Sequence, residues 1–330
     1  MEIAVIGSGG WGTALAKLLS ENGHAVTLWS FLPEEAAQLQ RTRENPLLPG
    51  VRLPELAFTS DPACAAGKPV VVMASPSFAA RSTAELVGPY LRQDAVLVSV
   101  AKGIEAGTSL RLSEIYEQVT GRTVAVLCGP SHAEEVGRGI PTGCVAASRD
   151  IRVAEMVQDI FMNDRFRVYA SADVVGVELG AALKNVVALC AGICDGMGFG
   201  DNTKALLMTR GLTEIARLGV ALGGKNESFA GLTGVGDLVV TCTSMHSRNR
   251  RAGILIGQGK DPKAAMDEVG AVVEGYYAAK SAHELAEKAG VEMPIAREAY
   301  AVLYEGRPPR EAMQLLMTRD RRHEFEDAGW

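Results

Sequence analysis

The chain has 330 residues, of which 47% are hydrophobic and 22% charged, and its formal net charge is −6 at pH 7. This length fits roughly two domains, and the balance of residue types excludes a disordered chain. The acidic total provides no overall attraction for nucleic acid or for an anionic membrane surface, so we expect neither as a partner.

The sequence carries no signal for export, membrane insertion or metal binding. The N-terminus passes from Met-Glu directly into an apolar run, and no uncharged run approaches the ~20 residues that cross a bilayer. The five histidines lack paired ligand spacing and the six cysteines form no CxxC pair, which indicates reduced thiols and no metal. We therefore expect a cytoplasmic protein.

The first half of the chain alternates short apolar runs with helical patterns. In chain order these read IAVI, WGTALAKLLSEN, AVTLW, PEEAAQLQR, PVVVMAS, FAARSTAELVGPYL, AVLVSVA, SLRLSEIYEQV and TVAVLCG. The alternation predicts βαβ units and an α/β domain with a doubly wound, mostly parallel sheet. Its strands are apolar on both faces, as expected when helices cover each side.

From about Gly176 the pattern changes to helices separated by glycine, with little alternation of period two. These helical stretches include GVELGAALKNVVALCAGICDGMG, TKALLMTRGLTEIARLGVALG and VVEGYYAAKSAHELAEKAG. We therefore predict a dinucleotide-binding α/β domain over residues 1–180 and an all-α substrate and catalytic domain over residues 181–330.

The stretch GSGGWG predicts a dinucleotide site rather than a purely structural turn. Gly7, Gly9 and Gly12 form G-x-G-x-x-G directly after the first strand and at the start of the first helix. The first glycine permits the turn, the second lets backbone approach a pyrophosphate, and the third lets the helix pack close to the strand. The helix N-terminus then binds the phosphates.

The end of the second strand leaves the choice between NAD and NADP open. An acidic residue there binds the ribose 2′-hydroxyl of NAD, whereas Arg favours NADP. The chain has Trp29-Ser30-Phe31 at this place, and Glu34 and Glu35 fall in the next predicted helix. Ser30 can bond to either cofactor.

Six further blocks follow the glycine loop along the chain. They read SVAKGIE, CGPSHAEEVGRGIPT, GVELGAALKNVVAL, GDNTKALLMTRGL, GLTGVGDLVVTCTSMHSRNRRAG and VVEG. Together they closely resemble the NAD(P)-dependent glycerol-3-phosphate dehydrogenases of the bacterial type. The resemblance covers nearly the whole chain and implies a Rossmann domain followed by an all-helical domain. It also implies interconversion of dihydroxyacetone phosphate and sn-glycerol 3-phosphate, the entry step of phospholipid synthesis.

The resemblance also implies site residues. It gives Lys184 as the catalytic acid or base, with Asp237 and Lys102 completing the predicted catalytic set. The predicted substrate contacts are Lys102, Gly129, Ser131, Lys184, Asp237, Ser247, Arg248 and Asn249. The predicted cofactor contacts, with the glycine loop and Ser30 included, are Gly7, Gly9, Gly10, Trp11, Gly12, Ser30, Lys102, Ala133, Arg248 and Glu274.

The chain departs from the family pattern at three places. Family members often carry Arg after the second strand, where Phe31 or its neighbours stand here, which argues against a strong preference for NADP. The block ENPLLPG lacks the aromatic residue of NxxYLP, and ASPSFAAR differs from PSHxxR in its third position. Neither of these two changes touches the predicted chemistry.

Lys184 suits the proton transfer that ketone reduction requires. In its predicted helix the same-face neighbours are Gly180, Ala181, Ala188 and Ala191, a small-residue face expected to leave room for a ligand. The alternative is a lysine that extends past a helix end or forms a buried ion pair.

Asp237 and the run SRNRRAG supply the remaining polar groups. Asp237 follows a glycine-rich turn, where it either orients Lys184 or caps a helix. Arg248 begins a predicted helix and suits a substrate phosphate, whereas Arg250 and Arg251 are expected on a solvated surface.

These residues predict hydride transfer between a nicotinamide cofactor, NAD(P), and a phosphorylated ketone that Lys102 and Arg248 bind. Two alternatives stay open: a related dehydrogenase of β-hydroxyacids, which acts on a carboxylate without phosphate, and a non-catalytic NAD(P)-binding regulator. A regulator has no need for Lys184 and Asp237 together. The helical second domain suits a homodimer.

Overall fold

The computed structural model describes residues 1–321, 323 and 324. The chain divides into two compact units, Met1–Glu178 and Leu179–Trp330.

The N-terminal unit contains one sheet of eight strands. The strands are β1 (Glu2–Ile6), β2 (Ala25–Trp29), β3 (Ala57–Thr59), β4 (Val70–Met73), β5 (Val96–Ser99), β6 (Thr123–Cys128), β7 (Thr142–Ala147) and β8 (Phe166–Ser171). Their order across the sheet is β3-β2-β1-β4-β5-β6-β7-β8, and every pair is parallel except β6 with β7. The predicted doubly wound, mostly parallel sheet is therefore confirmed.

Alternation along β1 shows why this sheet is covered on both sides. Ile3 and Val5 pack into one hydrophobic cluster, and Ala4 and Ile6 pack into a second. Successive side chains of a strand point to opposite faces, so two clusters mean that both faces are buried. The helices of this unit are α1 (Gly10–Glu21), α2 (Pro33–Thr42), α3 (Ala80–Val87), α4 (Leu112–Thr120), α5 (Ala133–Gly137) and α6 (Ile151–Phe161).

The C-terminal unit is helical throughout its described residues, as predicted. Helix α7 (Val174–Gly196) begins in the first unit and continues into the second. The helices that follow are α8 (Asp201–Ala221), α9 (Asn226–Ala230), α10 (Asp237–Thr243), α11 (Arg248–Gly257), α12 (Pro262–Val269), α13 (Glu274–Ala289), α14 (Pro294–Tyr304) and α15 (Pro309–Met317).

Helix α7 is long and apolar enough to cross a membrane by length and composition alone. However, 89% of its most apolar stretch is buried inside the protein. Such burial is typical of the central helix of a packed domain, whose whole circumference is covered by neighbouring elements.

Glycines allow α7 and α11 to approach backbone to backbone. A Cβ atom on Gly192 of α7 would lie 2.1 Å from the backbone oxygen of Arg250, and one on Gly253 of α11 would lie 2.1 Å from that of Leu189. No larger residue fits at either position without moving a helix. This contact fixes the register of the two helices that carry Lys184 and the SRNRR run.

Candidate active site

The glycine loop connects β1 to α1 with the geometry that a dinucleotide requires. Gly7 has φ +124°, and a Cβ there would lie 2.7 Å from the backbone oxygen of Ala74. A Cβ on Gly12 would lie 2.0 Å from the backbone oxygen of Gly7, so the helix touches the turn. By contrast, a Cβ on Gly9 would meet nothing within 4 Å.

The space beside Gly9 fits a cofactor pyrophosphate. The first N–H groups of a helix have no partner inside the helix, and α1 begins at Gly10 directly after this open position. Backbone donors and the positive end of the helix dipole therefore face a place from which side chains are absent. The residues present thus fit the phosphates of NAD(P).

Neighbouring segments fix the loop in place. Asn45 Nδ2 donates to the backbone oxygen of Ser8 and to Thr13 Oγ1, both at 2.7 Å. The indole N–H of Trp11 donates to the backbone oxygen of Val100 at 3.1 Å. A Cβ on Gly10 would lie 2.7 Å from a backbone oxygen in the ENPLLPG segment. Gly10 and Trp11 therefore hold the loop against its surroundings within the first unit.

A hydroxyl and carboxylate network lies beside the loop at the end of β2. Ser30 is fully buried, and its hydroxyl donates to Glu35 Oε2 at 2.6 Å. Ser8 Oγ donates to Ser30 Oγ at 2.8 Å and approaches Glu35 Oε2 at 3.3 Å. Glu35, in the first turn of α2, thus places a carboxylate beside the end of β2.

The predicted contacts Lys102, Gly129 and Ser131 meet within the first unit. Lys102 Nζ donates to the backbone oxygen of Gly129 at 2.9 Å, and Ser131 Oγ donates to the same oxygen at 3.0 Å. A Cβ on Gly129 would lie 2.8 Å from the Cα of Cys144, so the backbone passes close to β7. Ala133 follows as the first residue of α5.

Lys184 and Asp237 form a buried ion pair in the second unit, which is the structural alternative that the sequence left open for this lysine. Lys184 Nζ lies 2.9 Å from Asp237 Oδ1 and donates to Thr241 Oγ1 at 2.6 Å. Thr241 Oγ1 in turn donates to the backbone oxygen of Asp237 at 2.6 Å. Exposure is 4% for Lys184 and 1% for Asp237.

This geometry decides between the two interpretations of Asp237. It is the first residue of α10, Gly236 occupies the capping position, and the Asp237 carboxylate lies beside the Lys184 ammonium. Asp237 is therefore an ion-pair partner that stabilises the ammonium form of the lysine. Cys242, five residues after Asp237 on α10, stays a thiol because burial raises the pKa of its thiol to about 12.

The small-residue face beside Lys184 is packed, contrary to the prediction that it leaves room for a ligand. A Cβ on Gly180 would lie 2.9 Å from the backbone oxygen of Thr233, and Ala181, Ala188 and Ala191 are fully buried. Small residues at these positions allow neighbouring backbone to approach α7, a role that helical spacing does not distinguish from an open face.

An amide ladder joins α7, α11 and α13. Asn249 Nδ2 donates to Asn185 Oδ1 at 2.8 Å, and the backbone N–H of Gly275 donates to Asn249 Oδ1 at 2.8 Å. Ser247 caps α11 by accepting from a backbone N–H at 3.2 Å. Glu274, the first residue of α13, directly precedes Gly275. The bond from Gly275 to Asn249 therefore holds Glu274 close to the start of α11.

Arg248 and Arg250 differ sharply in their surroundings. Arg248 is exposed at the start of α11 and has no ion pair with any residue that the structure describes. Arg250 Nε and Nη2 instead reach Asp195 Oδ2 at 2.8 Å, and Lys204 Nζ reaches Asp195 Oδ1 at 2.7 Å. The expectation of a solvated Arg250 is therefore wrong, because Asp195 at the end of α7 removes it from the surface. Arg251 is exposed, as expected.

Sequence reasoning assigned no role to four residues of these arrangements: Glu35, Asn45, Asp195 and Thr241. Only Thr241 carried a usable signal, since i+4 spacing from Asp237 puts both on one side of a helix. The other three reach their partners from distant elements or from a helix that folds back. All six cysteines are free, four of them buried.

A glycine loop on a doubly wound sheet, with a buried lysine paired to a carboxylate, defines a dinucleotide-dependent oxidoreductase. The models of the N-terminal and C-terminal domains of NAD-dependent glycerol-3-phosphate dehydrogenase match residues 2–154 and 173–314. The chain belongs to this family, which confirms the resemblance seen in its motifs.

Individual relatives agree with this assignment. The chain is 54% identical over 331 residues to glycerol-3-phosphate dehydrogenase (NAD(P)+) of Moorella thermoacetica, with 99% of each chain covered. It is 52% identical over 327 residues to the enzyme of the same name from Thermoanaerobacter sp., with 98% of this chain and 99% of that one covered. Among solved structures, a glycerol-3-phosphate dehydrogenase from Coxiella burnetii matches with a TM-score of 0.92 and 37% identity, covering 96% and 99% of the two chains.

Proposed function

We propose that this chain interconverts dihydroxyacetone phosphate and sn-glycerol 3-phosphate by hydride transfer with NAD(P)H. The observation that carries the proposal is the match of the chain to this dehydrogenase family over residues 2–154 and 173–314, which include the predicted proton donor Lys184 and its partner Asp237. Burial of a charged lysine that is 4% exposed carries a desolvation cost, which Asp237 and Thr241 offset, and proton transfer to an alkoxide is a function that requires such a lysine.

Lys184 handles the proton of the reaction. The cofactor, when bound, supplies the hydride in reduction and accepts it in oxidation. In reduction, the Lys184 ammonium gives a proton from Nζ to the ketone oxygen as that oxygen becomes an alkoxide, and the neutral amine regains a proton afterwards. In oxidation, the amine takes the hydroxyl proton. Asp237 and Thr241 hold Nζ of Lys184 in place in both directions of the reaction.

The substrate phosphate is assigned to the start of α11. Arg248 is an exposed guanidinium in the first turn, with Ser247 and Asn249 on either side in sequence. A guanidinium at a helix N-terminus combines fixed charge, two parallel donors and the positive end of the helix dipole. Asn249 itself is held by Asn185 and Gly275, so the backbone that carries Arg248 is fixed.

The first unit holds the cofactor and supplies a second cation. Gly7, Gly9, Gly10, Trp11 and Gly12 form the pyrophosphate site. We assign Lys102 a contact to the reacting ketone, where a positive charge stabilises the developing alkoxide. Gly129, Ser131 and Ala133 line the segment to which Lys102 is bonded.

Four further assignments belong to this proposal. The functional domains are residues 1–180 for cofactor binding and 181–330 for catalysis. The enzyme acts in the cytoplasm, where its product feeds glycerophospholipid synthesis. Exposed apolar side chains of the helical unit, Leu206 and Val220 among them, support a homodimer. Size-exclusion chromatography with light scattering measures the molar mass of the protein in solution. The mass of a single chain would contradict the homodimer.

The test is the initial rate of NADH or NADPH oxidation with dihydroxyacetone phosphate, with unphosphorylated dihydroxyacetone and with a β-keto acid. We expect rapid turnover of the phosphorylated ketone only. For Arg248→Gln we expect the KM for dihydroxyacetone phosphate to rise about tenfold to hundredfold, since a hydrogen-bonded charge is lost. Turnover of the β-keto acid alone, or cofactor binding without any turnover, contradicts the proposal in favour of the two alternatives.

A further inference from the structure

The segment from the end of β2 to the first turn of α2 is acidic on the side of the glycine loop. It reads WSFLPEE from Trp29 to Glu35 and contains no Lys or Arg. In doubly wound sheets this segment meets the adenosine ribose of the cofactor, at the 2′ position that distinguishes NAD from NADP. Its charge therefore bears directly on cofactor choice.

Glu35 is held toward the loop by two serines. Its Oε2 accepts from Ser30 Oγ at 2.6 Å and from Ser8 Oγ at 3.3 Å, and Ser8 directly follows Gly7. Its Oε1 accepts no hydrogen bond from any described residue, and the side chain is exposed. One carboxylate oxygen is thus anchored, and the other is left as an acceptor beside the cofactor loop.

A carboxylate in this position treats the two cofactors differently. The 2′-hydroxyl of NAD is a donor and satisfies Oε1, whereas the 2′-phosphate of NADP carries negative charge and only acceptor oxygens at neutral pH. The first cation further along the chain, Arg41, is six residues from Glu35 on α2, about 9 Å of helix away. Arg43 is directed to Glu55 at 3.7 Å.

We propose that Glu35, oriented by Ser30 and Ser8, binds the ribose 2′-hydroxyl and makes this enzyme select NAD(H) over NADP(H). The proposal rests on the cofactor site of the proposed function. Phe31, which is 73% exposed and packs edge-on to Trp29, stands where a cation for the 2′-phosphate would be needed. Glu35 is a specificity-determining residue, and its neighbour Glu34 makes none of these contacts.

The test is the affinity of the purified full chain for NADH and for NADPH, measured separately by calorimetric titration. We expect the wild type to bind NADH at least about tenfold more tightly, the size of one charge-assisted hydrogen bond. Glu35→Gln should reduce the ratio of the two affinities about tenfold, by weakening NADH and strengthening NADPH. Glu34→Gln, the same change one residue earlier, should leave the ratio unchanged.

A gain of function gives an independent measurement. Phe31→Arg in the Glu35→Gln background should strengthen NADPH binding further while changing NADH binding less than threefold. Equal affinities in the wild type, or an equal effect of the two Glu→Gln changes, would overturn the selection by Glu35 and leave the proposed function intact. Binding of neither cofactor would overturn the proposed function, and with it this inference.

Discussion

The two candidate sites of this protein are built in opposite ways. The cofactor loop between β1 and α1 consists of backbone, within six consecutive residues from Gly7 to Gly12, and leaves open space beside Gly9. The lysine site consists of side chains from α7 and α10, more than fifty residues apart, and is almost completely buried. In a site made of backbone, a side chain added where space is open leaves the stability of the fold unchanged, whereas a change in a buried site of paired charges lowers that stability.

The largest expected effect falls on the lysine site. Lys184→Met should lower kcat about 10³-fold, because proton transfer to the alkoxide loses its donor. The matched control is Lys204→Met, which also removes a lysine paired to an aspartate in the same unit. Its kcat should change less than tenfold. Steady-state kinetics with folded protein checked by circular dichroism would decide, and equal losses in both variants would refute a special role for Lys184.

The glycine loop offers a comparison within itself. Gly12→Ala should destabilise the protein by about 1–3 kcal/mol and abolish cofactor binding, because its Cβ would enter the backbone of Gly7. Gly9→Ala should leave the midpoint of thermal unfolding within 2 °C, about the size of a surface change, yet weaken NADH at least tenfold, because the methyl group takes the pyrophosphate's place. Unchanged NADH affinity in Gly9→Ala would mean that the open space has another use.

Arg250, which is paired with Asp195, tests the assignment of the phosphate site. Arg250→Gln should raise the KM for dihydroxyacetone phosphate about tenfold with little change in kcat. The change removes the ion pair with Asp195 that holds the start of α11, where Arg248 lies, against α7. Arg251→Gln changes the same residue type at the next, exposed position and should alter KM less than twofold. A loss of thermal stability without any change in KM would show that Asp195 serves stability alone.

The smallest expected effect is a change in the pH dependence of stability, at Glu214 on α8, which lies away from the predicted contacts. Glu214 on α8 accepts from the backbone N–H of Ile295 at 2.9 Å and of Ala296 at 3.3 Å, at the start of α14. Burial raises the pKa of Glu214 to about 7, against the opposing effect of these two donors.

Because the pKa of Glu214 is raised in the folded state, stability falls as pH rises. Between the ordinary carboxyl pKa and about 7, the folded state holds a proton that the unfolded state has released, so Glu214 contributes less stability as pH rises through this window. The free energy of unfolding of Glu214→Gln, taken relative to that of the wild type, should therefore rise by about 1–3 kcal/mol from pH 5 to pH 8. Urea unfolding at both pH values measures this change, with the exposed Glu227→Gln as the control; a constant difference would contradict the prediction.

The sequence alone determined the features that depend on local order. The G-x-G-x-x-G spacing, the alternation of apolar strands with helices and the change of pattern near Gly176 gave the architecture, because turn chemistry and periodicity act between residues close in the chain. The motif blocks identified the family for the same reason. They also singled out Lys184 and Asp237, although not the geometry that joins them.

Only the tertiary structure decided which side chains meet. Asp237 pairs with Lys184, Arg250 turns inward to Asp195, and the small residues beside Lys184 accommodate backbone where an open face was expected. Glu35 reaches the end of β2 by folding back from α2. Each of these contacts joins residues on different elements or at a helix terminus, and their energies depend on distance and burial, which a linear pattern does not contain.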